Sequence, residues 1–352
     1  MQATQAAHAP DAPILVTGAT GFIGAHLALR LLEQPAPRRP LHLLVRDPQR
    51  LHPRLREAAE VLRGDLLDPA SLRSAVRGCA GVFHCAANVA TWDSAEAYHA
   101  VNVEGVRNLL QALQAQAGQG SPLPARLVHL STVDVYGYPA QPADESARCD
   151  GGAFGYGRSK AQGEALLREQ ATRMGLSWCV LRPTNVMGPH SPFIERIGAE
   201  LRGGLMLLVD GGRADCGFLY VDNLVDCMLW AESAPQAHHG VFNVRDPVGV
   251  SWQRFVHDLR RGIGGRGVVL RLPYAVAEAG AQLLQAGHRA LRLSGEPLLH
   301  PLLVRMFGRS CAHDTGRLQA AGAPLGRVGY EQAMQQGVAW FLQRQAQQRA
   351  GA

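Results

Sequence analysis

Tyr156 and Lys160 lie four residues apart in a stretch that reads as a helix, so their side chains share one face. An ammonium beside a phenol favours the phenolate, and is expected to draw the tyrosine below its usual value of about 10. That would make Tyr156 a usable acid or base near neutrality. Thr132, at the end of the apolar run Leu127-Val128-His129-Leu130, can hydrogen-bond a substrate oxygen, and Asn102 is a candidate fourth member. Singly, each has a bland reading: Tyr156 as core edge, Lys160 as solvated face, Thr132 as strand filler. The elements that come before them in the chain give the set its meaning.

The first of these elements is Thr17-Gly18-Ala19-Thr20-Gly21-Phe22-Ile23-Gly24, preceded by the apolar run Ile14-Leu15-Val16 and followed by a helical pattern through Leu32. A buried strand, a glycine turn and a helix start form a phosphate cradle. Glycine lets the backbone approach a pyrophosphate, and the free N–H groups at the helix start meet its charge. Gly18, Thr20, Gly21, Phe22, Ile23 and Gly24 are therefore candidate dinucleotide contacts.

Further strands follow in order. Leu41 to Val45 is the second, and the position after it faces the adenosine ribose in such a unit. There an acid bonds a 2′-hydroxyl and an arginine accommodates a 2′-phosphate; the residue is Arg46, with Asp47 alongside. Arg46 makes NADP the favoured cofactor over NAD. Val61 to Arg63 lies in the third strand, after which Asp65 and Leu66 face the adenine; alternatively Asp65 caps a turn before the helix that begins at Pro69. Gly81 to His84 is the fourth, and its small-residue end at Ala86 and Ala87 lets backbone pass close to the cofactor. His84 reads as a core histidine. Residues 96–117 read as one long helix, residues 126–130 as the fifth strand and residues 177–183 as the sixth. This alternation predicts an α/β fold with a doubly wound parallel sheet.

Composition narrows the class. The chain has 352 residues, 47% hydrophobic and 18% charged, an ordinary globular balance. Its net charge of +6 is scattered, with no basic block, which argues against a nucleic-acid partner. Seven cysteines show no metal-ligand spacing and no Cys-x-x-Cys pair, so no metal is expected, and reduced thiols suggest a cytoplasmic setting. Residues 1–12 read as a loose tail without signal-peptide character. No apolar run reaches the roughly 18 residues of a membrane span.

As an ordered set the motifs resemble an extended short-chain dehydrogenase/reductase, most like its 3β-hydroxysteroid dehydrogenase branch. To those above they add Asn102-Val103-Glu104-Gly105, Ser131-Thr132 before Val135-Tyr136-Gly137, Leu181-Arg182-Pro183 running to Gly188-Pro189, and Tyr220-Val221-Asp222-Asn223. The stretch from Ala90 to Tyr98 points to the hydroxysteroid branch. Val106 departs from a threonine common among relatives. The resemblance implies that Tyr156 and Lys160 contact the cofactor, Lys160 at the nicotinamide ribose, and that Pro183, Asn185 and Val186 line the nicotinamide face. It also implies a Rossmann domain over residues 13–188, rejoined by 214–248, with a small substrate domain from 189–213 and 249–352. A homodimer built on residues 96–117 and 156–175 is implied as well. Nucleotide-sugar enzymes of this family place an arginine shortly before the returning strand; Cys216-Gly217-Phe218 stands there instead, with Arg213 upstream.

The expected activity interconverts an alcohol and a ketone on an apolar small molecule. The rivals are a nucleotide-sugar epimerase or dehydratase, and a cofactor-sensing binding protein. Residues 275–293 are helical and apolar-rich, with a core helix expected in preference to one that faces a membrane surface. Residues 205–209 offer either an apolar pocket wall or a buried strand.

Overall fold

The computed structural model describes residues 9, 11–35 and 38–350, so most of the expected tail, and residues 36 and 37 of the loop after the first helix, lie outside the described residues. Eleven strands are described: β1 (Ile14–Thr17), β2 (Leu41–Val45), β3 (Glu60–Arg63), β4 (Gly81–His84), β5 (Arg126–Leu130), β6 (Trp178–Pro183), β7 (Asn185–Met187), β8 (Leu205–Val209), β9 (Phe218–Tyr220), β10 (Gly240–Val244) and β11 (Val268–Leu272). Seven of them form one parallel sheet in the order β10-β6-β5-β4-β1-β2-β3. Their central residues, among them Val16, Phe83 and Val128, have no exposed surface, as expected where helices cover both faces. The order reverses between β1 and β4, and a ligand crevice opens at the carboxyl ends of strands on either side of such a point.

The chain departs from the expected outline in three places. Residues 96–117 do not form one regular α-helix: α-helical Ala95–His99 passes through a π-helical turn at Ala100–Glu104 into Gly105–Gly118. The wide turn falls on Asn102, at a crossing so close that a Cβ on Gly163 would overlap the Asn102 carbonyl oxygen. Within residues 214–248, β9 does not join the main sheet but pairs with β7 in a separate two-stranded ribbon, and β10 is the strand that rejoins. Helix Tyr274–Ala290 is not a core helix: its buried residues are Ala277 and Ala281, while Val276, Leu283 and Leu284 are exposed. Periodicity reports that one face is apolar, not what lies against it.

Ser251 caps helix Trp252–Gly262 by accepting from Arg254 N–H at 3.2 Å. Residues 205–209 form β8, paired with β11 and buried at Met206, Leu208 and Val209. No helix among the described residues is long and apolar enough to cross a membrane.

Candidate active site

The cradle forms where β1 turns into helix Phe22–Leu32. Gly18 has a φ of +79°, a left-handed conformation that favours glycine, and a Cβ there would lie 2.7 Å from the Ala86 backbone nitrogen. A Cβ on Gly24 would overlap the Gly18 carbonyl oxygen. Gly21 is exposed at the helix N-terminus, which has neither a side-chain cap nor an acid in its first turn. Thr20, Phe22 and Ile23 are half-buried beside it. The Thr17 hydroxyl meets His84 Nδ1 at 2.9 Å and accepts from the Ala86 amide at 3.2 Å, which locks the two strand ends on either side of the crevice. A pyrophosphate suits this cradle, where close-packed glycines bring backbone N–H groups to an uncapped helix start.

At the carboxyl end of β2, Arg46 is 75% exposed and its Nε lies 4.0 Å from Asp65 Oδ2, a contact too loose and too solvated to hold it. Asp47, alongside it, accepts from Gln49 N–H at 3.0 Å and caps the turn Pro48–Arg50. Asp65 accepts from Leu67 N–H at 2.9 Å, so it closes a turn, while Asp68 caps the helix Pro69–Ala75. Leu66 is buried against Gly105, and its carbonyl accepts from Asn108.

Tyr156 opens helix Gly155–Arg173, which places it beside the carboxyl end of β5. Thr132 lies two residues beyond that strand, where it caps the turn Val133–Tyr136, and its hydroxyl faces the Tyr156 phenol. Lys160, one turn on, is 3% exposed and its Nζ donates to the Leu130 carbonyl at 2.8 Å. Burial pushes the Lys160 ammonium down to about 8, with Glu164 pulling the other way. The expected lowering of Tyr156 does not occur in this protein as folded. Burial and the charge of Asp134 push the phenol well above its ordinary value, and Thr132 only partly offsets them. Helical spacing put Tyr156 and Lys160 on one face, but Lys160 spends its charge on Leu130 and Glu164.

Asn102 does not point at the reacting groups. Its Oδ1 accepts from Asn88 N–H at 2.8 Å, and its Nδ2 donates to the Asn88 carbonyl and to Ser159 Oγ, both at 2.9 Å. Ser159 in turn donates to the Tyr156 carbonyl at 2.8 Å. Asn102 thus clamps the loop after β4, with Ala86 and Ala87, to the helix that carries Tyr156. Pro183 ends β6, and Asn185 and Val186 begin β7 beside it; Asn185 Nδ2 donates to the Cys216 carbonyl at 2.7 Å.

Several residues at the site went unassigned in the sequence. Asp134 and Tyr138, just beyond Thr132, line a small cavity with Val133, Asn185, Met306 and Cys311. Tyr98 donates to the Ala90 carbonyl at 2.6 Å and sets its ring 6.3 Å from that of Tyr156. Trp92 leans on His288 and His300, at 5.7 and 5.3 Å between rings, so the loop after β4 meets the C-terminal segment. Asp134 sat inside a motif quoted for its neighbours; an acid next to a catalytic hydroxyl was the signal for it.

A crevice at the switch point of a parallel sheet, a glycine cradle and a Thr–Tyr–Lys cluster together define a nicotinamide-dependent enzyme of the extended short-chain dehydrogenase/reductase type. The chain belongs to the NAD dependent epimerase/dehydratase family, whose model matches residues 14–244. It is similar to the 2-alkyl-3-oxoalkanoate reductase of Stenotrophomonas maltophilia, with 29% identity over 84% of this chain and 88% of that one. It is also similar to a ketoreductase of Stigmatella aurantiaca acting on 4-hydroxy-2-methyl-3-oxo-4-farnesyl-3,4-dihydroquinoline-1-oxide, with 28% identity over 91% of this chain and 93% of that one. Among solved structures, the UDP-glucose 4-epimerase of Thermotoga maritima superposes with a TM-score of 0.73 at 20% identity, covering 95% of this chain and 99% of that one, a likeness of fold.

Proposed function

We propose that this enzyme interconverts a ketone and a secondary alcohol on an apolar small molecule, with NADP(H) favoured over NAD(H). The observation that carries the reading is the Thr132 hydroxyl facing the Tyr156 phenol, with Lys160 buried one turn along the same helix. A bound nicotinamide would supply or accept the hydride, held by the cradle at Gly18 to Gly24, by Arg46 at the ribose, and by Lys160 and Pro183 to Val186 at the ring. The chain's own work is to move one proton. Tyr156 holds its proton at physiological pH, as burial and Asp134 dictate, which suits a donor to a substrate oxygen in the reducing direction. Thr132 offers a second hydrogen bond to that oxygen, and a donor placed where charge develops lowers the barrier.

Two further observations support an apolar ketone over a nucleotide sugar. Cys216 stands near the position where such enzymes place a diphosphate-binding arginine; it is sealed from solvent, and Gly217 beside it packs on Cys311. Arg213 is exposed at the surface. The two ketone reductases among the relatives lean the same way. The seven free thiols support a reducing, cytoplasmic setting. A homodimer through the Gly105–Gly118 and Gly155–Arg173 helices completes the reading, and light scattering at a single-chain mass of 37.8 kDa would refute it. The deciding experiment follows nicotinamide absorbance with both cofactors across apolar ketones and nucleotide sugars. Saturable turnover of a sugar, with none for any ketone, would reverse the assignment in favour of the epimerase.

A further inference from the structure

Asp134 is half-buried, with the Tyr138 hydroxyl beside its carboxyl. It follows Thr132 by two residues, and its own N–H bonds the Thr132 hydroxyl at 3.2 Å, so the two side chains are fixed relative to each other. Of the charged groups around the Tyr156 phenol, Asp134 acts on it most strongly. The Asp134 side chain faces the cavity formed with Val133, Tyr138, Asn185 and Met306. Burial raises its carboxyl, and no cation among the described residues offsets that. Arg309 lines the same cavity, but its guanidinium lies over the Tyr274 ring, 4.8 Å from the centroid.

Tyr138 is the second, independent observation. Its φ of +61° is uncommon for a residue with a Cβ, and its ring is wedged edge-on against Phe154 at 5.7 Å. That conformation holds the Tyr138 hydroxyl in the interior, facing Asp134, where it closes no full hydrogen bond. A carboxylate can accept at about four lone-pair positions, and a buried one left unsatisfied is costly. Here a half-buried carboxyl and a phenol hydroxyl that closes no hydrogen bond share a small cavity of mixed lining, Val133, Met306 and Cys311 beside Asn185, Ser310 and His313.

We infer that Asp134 and Tyr138 form a recognition site for a hydroxyl on the substrate, one or two bonds from the reacting carbonyl, so that the preferred substrates are apolar hydroxy ketones. The substrate hydroxyl donates to the Asp134 carboxylate and accepts from the Tyr138 hydroxyl, while the neighbouring carbonyl oxygen meets Tyr156 and Thr132. This inference rests on the ketone reading above and names the substrate class for the same site. A site built to bond a hydroxyl rejects the analogue that lacks it, because its own polar groups are then left buried and unpaired.

The test compares 5-hydroxydecan-4-one and 6-hydroxydecan-4-one with decan-4-one, in the wild type, Asp134→Asn and Asp134→Ala. The wild type should favour the better hydroxy ketone by about ten-fold or more in kcat/KM, the scale of a hydrogen bond to a charged group. That ratio should fall in Asp134→Asn, which keeps an acceptor but no charge, and approach one in Asp134→Ala, whatever either change does to the absolute rates. If Asp134→Ala does not fold, the drop in Asp134→Asn decides. Turnover of all three ketones with the same ratio in every variant would overturn the Asp134 contact and leave the ketone reading intact. Turnover of no ketone, with no ligand-induced rise in Tm, would instead remove the ketone reading and this inference with it.

Discussion

Arg182 and Glu164, 1% and 3% exposed at their side chains, form a two-pronged ion pair that ties β6 to the helix carrying Tyr156 and Lys160. Ser131 donates to the same carboxylate at 2.9 Å, and Arg182 donates on to Tyr136, whose hydroxyl bonds Asn243 on β10. The strand end that carries Thr132, the helix that carries Tyr156 and the segment at Pro183 to Val186 thus meet in one buried network.

Breaking one side of that pair should therefore be expensive. Glu164→Gln or Arg182→Met leaves a buried partner uncompensated, a loss on the order of 3–5 kcal/mol. Urea unfolding would measure it, with a combined Glu164→Leu, Arg182→Met variant expected to recover part of the loss. A single substitution costing less than about 1 kcal/mol would show that the pair holds nothing in place.

For catalysis, Tyr156→Phe keeps the ring against Tyr98 and removes the proton. Turnover should drop about 100-fold or more, the usual scale for a general acid, with cofactor affinity nearly unchanged. Single-turnover kinetics would check it; retention of more than about a third of the rate would take Tyr156 out of the role.

Cofactor choice turns on Arg46, which no tight ion pair restrains. Arg46→Ala should weaken NADPH about ten-fold and leave NADH unchanged, as for a charge-assisted phosphate contact. Titration calorimetry with both nucleotides gives the answer, and equal NADPH affinity before and after the change would sink the contact.

Lys160 gives a dependence on pH. Its folded value of about 8 lies below the ordinary 10.5, so between these limits the unfolded chain holds a proton that the folded one has released. Stability attributable to this group therefore rises with pH across that window, and the full cost of the buried charge is present below it. Relative to wild type, Lys160→Met should be favoured most at about pH 7 and lose that advantage towards about pH 10. Tm measured for both proteins across this range tests it; a difference independent of pH would mean that Lys160 does not titrate as described.

The sequence by itself determined the alternation of strands and helices, the glycine turn after β1, the candidacy of Thr132, Tyr156 and Lys160, and the family. These follow from period, turn chemistry and short spacings, which act over a few residues and are written locally. What Asn102 does was not legible, because its partners Asn88 and Ser159 lie 14 and 57 residues away. The tertiary structure also decided that Tyr156 is raised rather than lowered. A pKa depends on burial and on charges brought in from elsewhere, here Asp134, and helical spacing to Lys160 says nothing of either. Helix Tyr274–Ala290 illustrates the same limit: its apolar residues are local facts, but what covers them depends on how distant segments pack. Asp134 itself was in plain view beside Thr132. Only the folded chain, by setting it opposite Tyr138 without a countercharge, gave it a part in the site.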